Sequence, residues 1–125
     1  MKVSEIMNKV LVIDKNEKVK EAAKIMAEHN IGCLVIMEKN KIIGIITERD
    51  IIKNMDKLEK KVSKIMSKNV VVVDYDESID NAALIMKKHK IKKLPVVKDD
   101  ELYGIITSTD IIENSEDLNE QFFFD

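Results

Sequence analysis

An α+β fold is predicted for this 125-residue chain, made of two β-α-β-β-α repeats packed sheet to sheet. Three observations predict it: the second half repeats the first, the apolar period alternates between that of a strand and that of a helix, and the strands are apolar on successive residues. Residues 14–52 align with 74–112 without a gap, at 16 identities in 39 positions. VSEIM (3–7) and VSKIM (62–66) precede them at an offset of 59, and a loop near Val10 and Val70 absorbs the one-residue difference. The repeats are thus set at 1–59 and 60–114, followed by an acidic, phenylalanine-bearing tail at 115–125. Half a chain of about 60 residues has too little core to be secure alone, so the two copies are expected to form one compact module.

Each element follows in order. Val10 to Ile13 and Val70 to Val73 are short β-branched runs that suit a buried strand. Val19, Ala22, Ala23 and Met26 then recur at helical spacing, as do Ile79, Ala82, Ala83 and Met86, and the small alanines let this helix approach a sheet. LVIM and LPVV, a polar turn (EKNK or KDDE), and IIGIIT or LYGIIT read as an antiparallel hairpin. Its unbroken apolar runs predict that both faces are covered. A second helix begins near Thr47 or Thr107, with Ile51, Ile52, Ile111 and Ile112 inward. Phe122 to Phe124 in the tail are the only phenylalanines, and they are expected to pack at a subunit interface, with a disordered tail as the alternative.

Lys and Arg total 21 against 23 Asp and Glu, so no net positive field draws in nucleic acid or an anionic membrane. No apolar run approaches the roughly 20 residues of a membrane span, and MKVSEIMNKV carries no export signal. A single cysteine, Cys33, and seven methionines suit a reducing compartment, so a cytoplasmic location is expected. Twenty of the 21 cationic residues are lysine, a bias found in hyperthermophile proteins.

The chemistry-bearing segments are GIITERD (44–50) and GIITSTD (104–110), each placing a hydroxyl and a carboxylate three residues apart where a strand turns into a helix. One reading is a helix cap, Thr at N-cap and Asp at N3. The other is a ligand site, with the hydroxyl and helix start facing a phosphate and the carboxylate accepting from both ribose hydroxyls. A single copy fits either reading. The constellation of strand, helix, I-x-x-L-[PV]-V, hairpin and G-I-I-T-x-x-D, in the same order twice, resembles the tandem CBS-domain pair, or Bateman module, over almost the whole chain. HKIKKLPVV and GIITSTD lie close to the family pattern, and HNIGCLVI with GIITERD is a common first-copy variant.

That resemblance implies a pair with pseudo-two-fold symmetry and two clefts of the kind that bind AMP, ADP, ATP or S-adenosyl compounds, each joining the T-x-x-D of one copy to the first strand of the other. In the second-copy cleft Asp110 would hold the ribose, Thr107 and Thr109 the ribose or phosphate, and Lys92 or Lys93 the phosphates, with Val10, Leu11 and Val12 lining the adenine. In the first-copy cleft Asp50 and Thr47 correspond, with Val70, Val71 and Val72 opposite and Gly32 and Cys33 where the lysines stand. An anion needs cationic donors, so a phosphate-bearing ligand is assigned to the second cleft; solvated surface lysines account for Lys92 and Lys93 equally well. The base is expected between aliphatic side chains, because the core offers only Tyr75 and Tyr103 as aromatics.

Arg49 is read as an ion pair across a dimer ahead of a phosphate contact. His29 and His89 complement the dipole at the end of each first helix, Cys33 is read as core ahead of nucleophile, and no metal ligand set appears. No catalytic constellation presents itself, so a regulatory module, not an enzyme, is expected. The resemblance further implies a disc-like homodimer, for which Ile51, Ile52, Met55, Ile111 and Ile112 are candidate surfaces, and a protein target for the signal. The alternative function is a structural homodimerisation module without nucleotide.

Overall fold

The computed structural model describes residues 1–115; the tail phenylalanines Phe122 to Phe124 lie outside them. In chain order the elements are α1 (Val3–Ile6), β1 (Val12–Ile13), α2 (Val19–His29), β2 (Cys33–Glu38), β3 (Lys41–Thr47) and α3 (Glu48–Lys53), then β4 (Val73–Asp74), α4 (Ile79–His89), β5 (Lys93–Lys98), β6 (Glu101–Thr107) and α5 (Ser108–Glu113). Two short 3₁₀ turns, Met55–Lys57 and Val62–Lys64, lie between α3 and β4. The fold is α+β, with two three-stranded sheets in the orders β1-β2-β3 and β4-β5-β6.

The compact units of the fold cut across the sequence repeats. One unit holds Met1–Val10 with the chain from Val71 onward; the other holds Leu11–Val70. Each unit therefore takes its lead segment from the other repeat. In the first unit, Val3 is fully buried in a core with Val73, Ile79, Leu94 and Ile106. In the second, Val62 occupies the equivalent place beside Val19, Leu34, Ile36 and Ile46. Burying one such valine is worth about 1.5–3 kcal/mol.

Backbone hydrogen bonds stitch each lead segment down. Asn8 and Ile105 exchange both N–H···O bonds, at 2.8 and 2.9 Å, while Val3 N donates to Glu77 O and Ile79 N to Met1 O. In the other unit Ile45 and Ser67 exchange the same pair at 3.0 and 2.9 Å, and Val62 N donates to Glu17 O. These crossings explain the glycines of the two G-I-I-T motifs. A Cβ on Gly104 would stand 2.7 Å from Asn8 O, and one on Gly44 would stand 2.3 Å from Met66 Sδ. Beside each glycine the hairpin register shifts: Ile36 faces Gly44 and Val96 faces Gly104, whereas Met37 faces Ile42 and Val97 faces Leu102, so Ile43 and Tyr103 are the extra residues of two bulges.

The predicted helices and hairpins are present. The hairpins close on two-residue loops, Lys39-Asn40 and Asp99-Asp100, all four residues at positive φ as such loops require. β2 is buried from Cys33 to Ile36 and β5 from Leu94 to Val96, and two successive buried residues in a strand belong to opposite faces. The first strands are shorter than predicted. Only Val12 and Ile13, and Val73 and Asp74, find parallel partners, on β2 and β5, because the chain passes from one unit to the other just before them. Ile51 and Ile111 are core residues at 8% and 9% exposure, whereas Ile52 and Ile112, expected inward, are exposed because the next position on a helix turns away from the core; of the candidate dimer surface only Ile52, Met55 and Ile112 are exposed.

Candidate functional site

Each T-x-x-D forms a complete capping box at the strand-to-helix junction. In the first unit Thr107 N donates to Asp110 Oδ2 at 2.8 Å, Thr107 Oγ1 donates to the same oxygen at 2.8 Å, and Asp110 N donates back to Thr107 Oγ1 at 3.2 Å. The second unit repeats the pattern between Thr47 and Asp50 at 2.9, 3.1 and 3.3 Å. The capping reading is thus realised twice. It does not exhaust the carboxylates: at each turn the two bonds that the carboxylate receives from its threonine both go to Oδ2, and Oδ1 takes neither.

Two side-chain amides brace the junctions from behind. Asn54 Nδ2 donates to Asp50 O at 2.6 Å and Asn114 Nδ2 to Asp110 O at 2.8 Å, closing each short helix at its far end. Asn8 adds a bond that the other unit lacks, Nδ2 to Asp110 Oδ2 at 2.7 Å. None of these asparagines was picked out from the sequence. Asn54 and Asn114 repeat at the offset of 60, a signal that was available; Asn8 offered none, because its partner lies 102 residues away.

The sheet sets the start of each middle strand against its T-x-x-D. Lys93 is the register partner of Thr107, and Ser108 N donates to Lys92 O at 2.9 Å. Cys33 pairs with Thr47 in the same way, and Glu48 N donates to Gly32 O at 3.1 Å. The structure therefore brings Lys92, Lys93, Thr107 and Asp110 together in one unit, with exposed Thr109 on the first turn of α5. It brings Gly32, Cys33, Thr47 and Asp50 together in the other. Val10 shares the unit of Asp110, and Leu11 and Val12 belong to the other; Val70 shares the unit of Asp50, and Val71 and Val72 belong to the first. Val12 and Val72 are exposed, and Cys33 is buried.

The aromatics are already engaged with one another. Tyr75 and Tyr103 meet edge to face at 5.2 Å, and Lys98 Nζ stands 5.1 Å from the centre of the Tyr75 ring. Asp76 beside Lys98 raises the lysine's pKa. Among residues 1–115 no cluster of three or more His, Cys, Asp or Glu is placed to hold a metal ion, and no helix is long and apolar enough to cross a membrane. An open groove of about 350 Å³ runs between α2 and α3, lined by Ala23, Met26, Ala27, Ile31, Ile51 and Ile52 among others.

Comparison with known proteins places this geometry. The CBS domain model matches residues 3–57 and again 62–117. An uncharacterised 17.7 kDa protein of Acidianus ambivalens is 42% identical over 88% of this chain and 70% of its own length. The inosine-5'-monophosphate dehydrogenase of Aquifex aeolicus is 42% identical over 86% of this chain, which spans only 23% of that enzyme. Among solved structures, the CBS domain pair of protein MJ0100, in complex with 5'-methylthioadenosine and S-adenosyl-L-methionine, superposes with a TM-score of 0.84 at 38% identity, covering 90% of this chain and 94% of that one. Two matched domains in tandem, the duplicated sheet and the twice-built T-x-x-D agree, and the chain belongs to the CBS domain family as a tandem pair, a regulatory module.

Proposed function

We propose that this chain is a ligand sensor that binds an adenosyl compound, of the AMP, ADP, ATP or S-adenosylmethionine class, and takes no part in catalysis. The observation that carries the reading is the carboxylate geometry: Asp110 and Asp50 are each pinned through Oδ2, while Oδ1 takes none of those bonds. Two adjacent ribose hydroxyls are the donors such an oxygen suits. The adenosyl ligands of the MJ0100 pair, at 38% identity, support the same class here.

In this reading Thr107 and Thr109 assist Asp110 at the ribose, and Lys92 and Lys93 answer phosphates where the ligand carries them. Thr47 assists Asp50, with Gly32 and Cys33 at the place of the lysines. Val10, Leu11 and Val12 serve the base at one site, and Val70, Val71 and Val72 at the other. The tyrosines are paired with each other, so aliphatic burial and not ring stacking supplies the apolar part of the affinity. The working form is a cytoplasmic homodimer that passes ligand occupancy to a protein target, because a ligand biases such an equilibrium by its different affinity for two states.

Exposed Ile52, Met55 and Ile112, at 70%, 59% and 46%, favour a second reading in which the pair only dimerises. Calorimetric and thermal-shift titration with AMP, ADP, ATP, S-adenosyl-L-methionine and 5'-methylthioadenosine separates the two. Under the sensing reading at least one compound raises Tm, since 100-fold excess over Kd adds about 2.7 kcal/mol, and Asp110→Ala weakens that response. Phosphate contact by Lys92 and Lys93 predicts that Lys92→Ala with Lys93→Ala weakens ATP more than S-adenosyl-L-methionine. No response to any of the five compounds would leave the dimerisation reading.

A further inference from the structure

One hydrogen bond breaks the equivalence of the two T-x-x-D turns. Asn8 Nδ2 donates to Asp110 Oδ2 at 2.7 Å. At the offset of 59 that relates VSEIM to VSKIM, the counterpart of Asn8 is Ser67. The backbones there are alike: Asn8 bridges Ile105 as Ser67 bridges Ile45. The side chains are not, for Asp50 Oδ2 receives two bonds from Thr47 where Asp110 Oδ2 receives three.

We propose that Asn8 is a positioning residue for Asp110 and makes the Asp110 turn the tighter of two unequal adenosyl sites, an inference that rests on the function proposed above. Asn8 is itself held by two backbone bonds to Ile105, at 2.8 and 2.9 Å. Its amide therefore reaches the carboxylate from a fixed position. With three donors on Oδ2 the carboxylate keeps one orientation and presents Oδ1 to the ribose hydroxyls. Immobilising a polar side chain during binding costs a factor of about three to ten in affinity. Asp110 has met this cost before ligand arrives, and Asp50 has met less of it. Asn8 acts through Asp110 and makes no contact with ligand itself.

The experiment uses the full chain with one site disabled at a time, and S-adenosyl-L-methionine and ATP as the probes. Asp50→Ala leaves the Asp110 site, and Asp110→Ala leaves the Asp50 site. Adding Asn8→Ala to the first is expected to weaken binding by about three- to tenfold, with the loss confined to the chain that keeps Asp110. Adding Ser67→Asn to the second is expected to strengthen the Asp50 site by a similar factor, a gain that a merely structural contact would not produce. Absence of either change, or an equal loss from Asn8→Ala in both chains, overturns the proposal. A wild type that binds none of the five adenosyl compounds instead overturns the sensing function, and that flat titration is distinct from a wild type that binds but ignores Asn8.

Discussion

Lys90 ends α4 in the left-handed region, at φ 55°, where Asn30 ends α2 at 52°. Asparagine adopts that region at less cost than lysine, and glycine at less still, so Lys90→Gly is expected to raise stability by about 0.5–1 kcal/mol, read as a higher denaturant midpoint at unchanged m. A second single-residue effect is electrostatic. Lys20 and Lys18 each stand 2.9 Å from Glu59 and hold its carboxyl at about 2, below the ordinary 4.5. A lowered carboxyl stabilises the fold above its unfolded value, and that contribution fades as pH falls from 4.5 toward about 2. Glu59→Gln should therefore flatten Tm against pH in that window, and added salt should do the same to wild type because the pair is exposed. Legibility at this scale followed sequence distance. Thr107 and Asp110 were readable because a capping box closes within three residues, whereas Asn8 and Asp110 meet across 102.

The elements that were readable carry a full period of their pattern. Eleven-residue α2 and α4 show three helical turns of apolar spacing, and the hairpins show two apolar runs about a polar turn. The four residues of α1 span barely one turn, too few for any periodicity to appear. The runs at Val10 to Ile13 and Val70 to Val73 favoured a longer strand because β-branched residues suit one, yet pairing and not propensity sets where β1 and β4 begin, at Val12 and Val73, and holds each to two residues. The glycines test the lead segments at this scale. Gly104→Ala drives a methyl against the Asn8 carbonyl, a backbone atom held by its bridge to Ile105, and is expected to cost about 1–3 kcal/mol. Gly44→Ala meets the flexible end of Met66 and should cost less. Paired chemical denaturation curves of the two variants check the order.

At the scale of the molecule, repeat and unit are different divisions. A fragment of residues 1–59 lacks Val62, the bond from Val62 N to Glu17 O, and the Ser67 bridge to Ile45, all of which complete the second unit. Residues 11–70 keep them. Dispersed amide resonances and cooperative melting are therefore expected from 11–70 and not from 1–59. The duplication was plain in the sequence, but VSEIM and VSKIM each stand directly before the repeat they do not complete, and nothing local marks the exchange. That exchange also orders events during synthesis. The stretch from Leu11 to Val70 emerges with every partner of its own core close behind it. Residues 1–10 are made well before the groups that receive them, Glu77, Ile79 and Ile105. Val3 and Met7 thus lack their native cover until the residues from Val73 to Ile111 have been made, and docking this segment is a long loop closure of the kind that slows folding.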